Sequence, residues 1–250
     1  MNSVSWPAWV RKRGAARFVR WKEWYLGFEV SNASSPRQLS TPAFETERPH
    51  ELKAQLVRAA IEGTEAAWSV NRRTRIVHTD PLINVVHNPA RPEEFEVAEY
   101  YRLLMFQAWD MLAGWRRPDL GGGERYLDII GANYYPNNQW LCGETSFHPE
   151  RWLEVSDPQY RPLSSVLLEV YERYRRPIFI AETCTESQAR ADWLCYVGNE
   201  VCEALELGVP LEGVCLYPIV DFPGWGMTGT AKPAPGVRLM LKATERYIDH

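Results

Sequence analysis

The run Arg176-Pro-Ile-Phe-Ile-Ala-Glu182-Thr183 ends an apolar stretch on a single carboxylate. A short unbroken apolar run bounded by turn signals reads as a strand buried on both faces. A carboxylate at the C-terminal end of such a strand sits where a parallel barrel keeps its chemistry. Burying that charge is costly unless it is paired or used. Glu182 is therefore either tied into a structural network or catalytic.

Other residue types narrow the chemistry. Eleven tryptophans and twelve tyrosines in 250 residues suit a protein that stacks sugar C–H faces on rings, and equally an aromatic-rich core. The five cysteines form no CxxC pair and are odd in number, which argues against a disulfide framework or a zinc site and for a reducing compartment. No metal or cofactor is expected. The net charge of −4 gives no broad basic surface for nucleic acid. No stretch is apolar enough to span a membrane, and the N-terminus lacks the apolar core of a signal peptide. The expectation is a cytoplasmic protein.

The elements that must position Glu182 follow from periodicity. Residues 50–71 carry Leu52, Leu56, Ala59, Ala60 and Ala67 at helical spacing. Arg75-Ile-Val-His78-Thr-Asp80 is a short strand, and residues 93–114 form a helix opened by Pro92. Residues 126–135 form the next strand, 164–174 a helix, and 177–182 the strand that ends on Glu182. A helix over 190–207 is broken by Gly208 and Pro210, a strand follows over 213–217, and a last helix covers 240–248. Strands alternating with helices imply parallel crossovers with the rhythm of a (β/α)8 barrel. Only four strands are evident, and the fifty residues before the first helix cannot hold four more units of roughly 30 residues each. Residues 1–49 read as an irregular segment: Met1–Lys22 holds six basic residues, no acidic one, and Trp6, Trp9 and Trp21. The expected architecture is a partial TIM barrel over residues 50–250, roughly strands 5–8 with their helices.

Three motifs carry a resemblance. Asp128-Ile-Ile-Gly131-Ala-Asn133-Tyr134-Tyr135, Pro177-Ile-Phe-Ile180-Ala-Glu182-Thr183 and Gly213-Val-Cys-Leu-Tyr217-Pro-Ile-Val-Asp221-Phe-Pro-Gly-Trp225 occur in order. They resemble the sixth-, seventh- and eighth-strand motifs of glycoside hydrolase family 1 and its relatives among retaining (β/α)8-barrel glycosidases. The resemblance covers residues 50–225. It implies that Glu182 is the nucleophile attacking the anomeric carbon of a β-glycoside. It also implies that Tyr135, with Tyr134 as the alternative, hydrogen-bonds and aims it, and that Asn133 sits near the sugar hydroxyls. His78 and Asp80 would line the rim, and Trp140, Tyr217, Asp221 and Trp225 the sugar pocket. A histidine satisfied by a neighbour fits His78 as well, and core packing fits Trp140 and Trp225 as well.

The chain departs from that pattern in two places. A retaining site needs a second carboxylate roughly 5 Å from the first as acid/base, and the family carries it after an asparagine at the end of the fourth strand. No Asn-Glu stands there, and Glu29 is the remaining candidate. After Trp225 the sequence Gly-Met-Thr-Gly-Thr-Ala-Lys-Pro-Ala-Pro-Gly replaces an acidic, polar loop. One codon choice for that stretch, read in another frame, spells Asp-Asp-Arg-His-Cys-Glu-Thr-Gly-Ala-Trp. A frame change in the gene near Trp225, and another before Phe44, would explain both ends; the gene's bases at Trp225 decide it. Three readings follow. The chain is a glycoside hydrolase with impaired or absent activity, a truncated, non-catalytic half barrel, or an α/β module binding a small polar ligand. A half barrel exposes two sheet edges, so a second copy or a separate N-terminal half is the expected partner.

Overall fold

The computed structural model describes residues 18–22, 49–143, 149–185 and 189–217. Five strands form one sheet: β1 (Phe18–Lys22), β2 (Arg75–Pro81), β4 (Ile129–Asn133), β7 (Ile178–Thr183) and β8 (Leu211–Leu216). Their order in the sheet is their order in the chain, and every neighbouring pair is parallel. Such an order with helical crossovers is an arc of a (β/α)8 barrel. The expected partial barrel is thus present, with one strand more than the hydrophobic pattern announced. β1 lies inside the segment read as irregular, where Arg and Lys interrupt any apolar run.

The helices α1 (Pro49–Val70), α3 (Gln107–Leu112), α4 (Leu163–Tyr174) and α5 (Arg190–Glu206) cover one face of this sheet. Ile130, Ala132, Ile178 and Ile180 from the strands share a core with Val57, Trp109, Leu112, Leu167, Val170 and Val197 from the helices. In α1 the buried stripe is Ala54, Val57, Ala60, Ile61 and Thr64, whereas Ala59 is exposed. The helix was expected, but its buried face is turned by about one residue. Small Ala54 and Ala60 join the core that holds Trp109 and Leu112 of α3, while Leu52 and Leu56 stay half-buried. The helix expected over 93–114 is divided into α2 (Phe95–Leu103) and α3 by a 3-10 turn at Leu104–Phe106. Gly208 has φ +85° and closes α5 in the left-handed conformation that favours glycine. The helix expected over 240–248 lies outside the described residues.

A second sheet was not anticipated. β3 (Asn84–Val86) pairs parallel to β5 (Gln139–Cys142), which pairs antiparallel to β6 (Pro149–Trp152). β3 follows β2, and β5 follows β4, after only a few residues. This small sheet therefore rises from the C-terminal ends of the barrel strands, where the site must lie. Val85, Ala98 of α2, Trp140 and Cys142 form its own apolar cluster.

Candidate active site

Register decides which side chains reach the inner face of the arc, away from the helices. In parallel pairs, opposed residues point the same way. Val77, Thr79 and Pro81 stand beside Ile129, Gly131 and Asn133, while His78 and Asp80 stand beside Ile130 and Ala132 of the helix-side core. Gly131 confirms the assignment: a Cβ there would meet Thr79 Cγ2 at 2.6 Å and Val77 Cγ1 at 2.8 Å. A larger residue in that position would push β2 and β4 apart directly beneath Asn133.

β7 needs a correction to its alternation to join this face. Phe179 opposes Gly131 and Ile180 opposes Ala132, but Asn133 opposes Glu182. The extra residue, Ala181, is a bulge that turns Glu182 to the inner face and Thr183 to the helices. Bulges of this kind re-aim side chains next to active sites. Thr183 indeed meets α5, where Trp193 Nε1 donates to its Oγ1 at 3.0 Å.

The resulting constellation is compact. Glu182 is fully buried, and the Tyr135 hydroxyl donates to its Oε2 at 2.9 Å. The Tyr134 backbone N–H donates to the Glu182 carbonyl at 2.9 Å, which locks the end of β7 to the end of β4. Asn133 is 2% exposed, and both polar atoms of its side chain lack a hydrogen-bond partner among the described residues. Buried amides without partners are rare and ask for water or a ligand. Tyr135 is held by a tight turn: its N–H donates to Asn138 Oδ1 at 3.2 Å, and the Asn138 N–H donates back to its carbonyl at 3.0 Å. Asn138 Nδ2 also donates to the carbonyls of Leu82 and Asn133, at 2.5 and 3.2 Å.

The other residues singled out in the sequence lie elsewhere or are only partly in place. Tyr217 stands just beyond β8, and its N–H donates to the Thr183 carbonyl at 3.2 Å. Tyr134 points to the helix side, where its hydroxyl meets Tyr160 and Gln139, each at 2.8 Å, and burial pushes its pKa up. Between the two tyrosines, it is Tyr135 that faces Glu182. His78 and Asp80, expected at the rim, go instead to the helix side of β2. His78 is pushed down to about 4 by burial. Asp80 is pushed up to about 7 by burial, which the charge of Lys53 on α1 partly offsets; Lys53 Nζ donates to Gln107 Oε1 at 3.0 Å. Trp140 is 4% exposed within the small sheet's cluster, edge-on to Trp152 with ring centroids 6.0 Å apart. That environment matches the packing alternative. Glu29, Asp221 and Trp225 lie outside the described residues.

Two contributors were missed from the sequence. Thr79, fully buried, fills the inner face beside Gly131, and Trp193 holds Thr183. Neither carried a signal beyond membership of an apolar run or helix face. The inner-facing positions of β2 and β4, from Val77 to Pro81 and from Ile129 to Asn133, carry no carboxylate. Among the described residues no group of His, Cys, Asp and Glu could hold a metal, and no helix is long and apolar enough to cross a membrane. None of the five cysteines, all among the described residues, is in a disulfide.

The parallel arc that carries Glu182, Tyr135 and Asn133 on its C-terminal rim has the fold of part of a (β/α)8 barrel. Solved structures agree on the fold. A β-glycosidase from Pyrococcus horikoshii matches at 18% identity with a TM-score of 0.58, over 77% of this chain and 49% of that one. An enzyme called AHE from Alicyclobacillus herbarius matches at 16% identity and 0.58, over 84% and 56%. A β-glucosidase from Thermotoga maritima, solved with deoxynojirimycin, matches at 16% and 0.51, over 73% and 49%. The chain spans about half the length of these structures. No protein-family model matches the chain, and no curated protein matches it.

Proposed function

We propose that this chain carries the nucleophile side of a retaining β-glycosidase site. The observation that supports it best is Glu182 opposite Asn133 in register, with the Tyr135 hydroxyl 2.9 Å from its carboxylate. In this reading a Glu182 oxygen attacks the anomeric carbon of a β-glycoside. The bond from that carbon to the aglycone oxygen breaks, and its electron pair leaves with the aglycone. Water then attacks the same carbon and releases the Glu182 carboxylate. Tyr135 holds the carboxylate in place. The unpartnered Asn133 amide offers a donor and an acceptor to a sugar hydroxyl.

The leaving group must also take a proton. Glu29, the candidate that the sequence offers, lies outside the described residues. Without an acid/base, rate falls by roughly 10²–10⁴, and only activated aryl glycosides would react well. The Asn133 amide, whose two polar atoms lack partners among the described residues, also suits a second reading, a non-catalytic half barrel that holds a sugar-like ligand. A second copy or a separate half barrel would then complete it, with the oligomeric mass measured by light scattering as the check.

Aryl β-glycoside hydrolysis with and without azide separates the readings. Turnover that azide accelerates, together with covalent labelling of Glu182 by an activated 2-deoxy-2-fluoro-β-glycoside, supports a nucleophile without an effective acid/base. Loss of residual activity in Glu29→Gln would identify the acid. No turnover and no labelling leave the ligand-binding reading.

A further inference from the structure

Glu182 and Tyr135 ride on different strands, and a hydrogen bond between them survives only if both strand ends keep their phase. The backbone supplies part of this through the Tyr134 N–H to the Glu182 carbonyl and the Tyr217 N–H to the Thr183 carbonyl. On the helix side one side chain touches both strands. Trp193 of α5 donates its indole N–H to Thr183 Oγ1 at 3.0 Å, on the residue that follows Glu182. Its ring stacks on Tyr134, the residue that precedes Tyr135, at 5.7 Å between centroids and 19° between planes. Tyr134 is fixed at its far end by Tyr160 and Gln139, so it is a rigid plate for the indole to rest on.

We infer that Trp193 is a positioning residue that fixes the distance between the Tyr135 hydroxyl and the Glu182 carboxylate, a role whose catalytic meaning rests on the glycosidase reading above. The indole is nearly buried, and a buried N–H needs its acceptor. Thr183 supplies one at the position where the Ala181 bulge has just reset the strand. Removing either partner frees Thr183 to rotate, and the peptide joining it to Glu182 moves with it. A misplacement of about 1 Å in such a pair costs up to roughly 100-fold in rate. Tryptophan as mere core filling predicts a different pattern, because Thr183→Val changes no volume and would then do little.

The test uses the full chain and the variants Thr183→Val, Thr183→Ser and Trp193→Phe, each also in a Tyr135→Phe background. Amide exchange is read at Tyr134 and Tyr217, with Val57 and Ile61 of α1 as references. Labelling of Glu182 by the fluoroglycoside is separated into a maximal rate and a half-saturating concentration. Thr183→Val and Trp193→Phe should speed exchange at Tyr134 and Tyr217 about tenfold and leave α1 unchanged. They should lower the maximal labelling rate about tenfold at an unaltered half-saturating concentration. Thr183→Ser should restore both, and neither variant should slow labelling further once Tyr135 is Phe. Unchanged exchange at both amides in Thr183→Val overturns the inference, as does an equal loss of labelling in the Tyr135→Phe background. If the unsubstituted chain is never labelled but exchange responds as stated, the clamp stands and the glycosidase reading falls. If labelling proceeds and Thr183→Val alters nothing, the clamp falls and that reading stands.

Discussion

Asp80 and Glu182 are both buried carboxylates at the C-terminal ends of barrel strands, yet they belong to different kinds of environment. Asp80 faces the helices, where desolvation raises its pKa and Lys53 answers its charge. Glu182 faces inward, beside a tyrosine hydroxyl and an amide with both polar atoms unpartnered. Asp80 feels the charge of Lys53, which offsets only part of the cost of its burial. Glu182 has a hydrogen-bond donor that orients it and, beside it, an amide without partners among the described residues, which suits the ligand-facing role proposed above. Burial alone does not separate the two. The face of the strand and the nature of the partner do.

The largest expected effect that sharpens this contrast is on chemistry. Glu182→Gln should abolish fluoroglycoside labelling, a loss of at least about 10⁴, while Asp80→Asn should leave it within about twofold; equal losses in both would erase the distinction. Next comes stability. Lys53→Met removes the charge that partly offsets the burial of Asp80 and should cost about 1 kcal/mol in urea unfolding at pH 8. The cost should shrink at pH 5, where Asp80 is protonated in the folded state. Tyr135→Phe should lower the maximal labelling rate about tenfold and leave the unfolding midpoint nearly in place.

The smallest effect is a slope. Asp80 rises from 3.8 to about 7 on folding, so the folded state holds the extra proton and stability falls as pH rises through that window. His78 drops from 6.5 to about 4 through burial; there the unfolded state holds the extra proton, and stability falls as pH drops from 6.5 to 4. Both groups lie on the helix side of β2 and oppose each other between about pH 4 and 6.5. In Asp80→Asn only the histidine remains of the two, and urea midpoints should rise with pH across that interval more steeply than in the parent chain.

The pattern of residues revealed which strands exist far better than which way they face. The runs around Gly131 and Ile180 marked β4 and β7 because an apolar segment bounded by turns has few other uses. A strand buried on both sides carries no alternation, however, so nothing in Ile76-Val-His-Thr-Asp80 tells that Val77 and Thr79, rather than His78 and Asp80, face inward. The bulge at Ala181 is equally silent, since it shows only in the pairing with β4. Trp140 was ambiguous because a tryptophan suits a sugar and a core alike. The small sheet that buries it consists of strands of three and four residues, too short to announce themselves. α1 displays the right period with a turned face, because alanines read as neutral filler although Ala54 and Ala60 are buried.

The extra residue in β7 also bears on how such a site could be lost or moved. Substitutions change what a side chain is, but they leave the count of residues between Ile180 and the carboxylate intact. An insertion between Ala181 and Glu182 would act differently: the added residue would take the place opposite Asn133, and alternation would turn Glu182 to the helix side, towards Tyr134 and Trp193, where the described surroundings offer no lysine of the kind near Asp80. One gained codon would thus turn an oriented carboxylate into an unanswered charge in a hydrophobic core. Lineages descending from this barrel should therefore tolerate replacement of the glutamate far more readily than a change in the length of its strand.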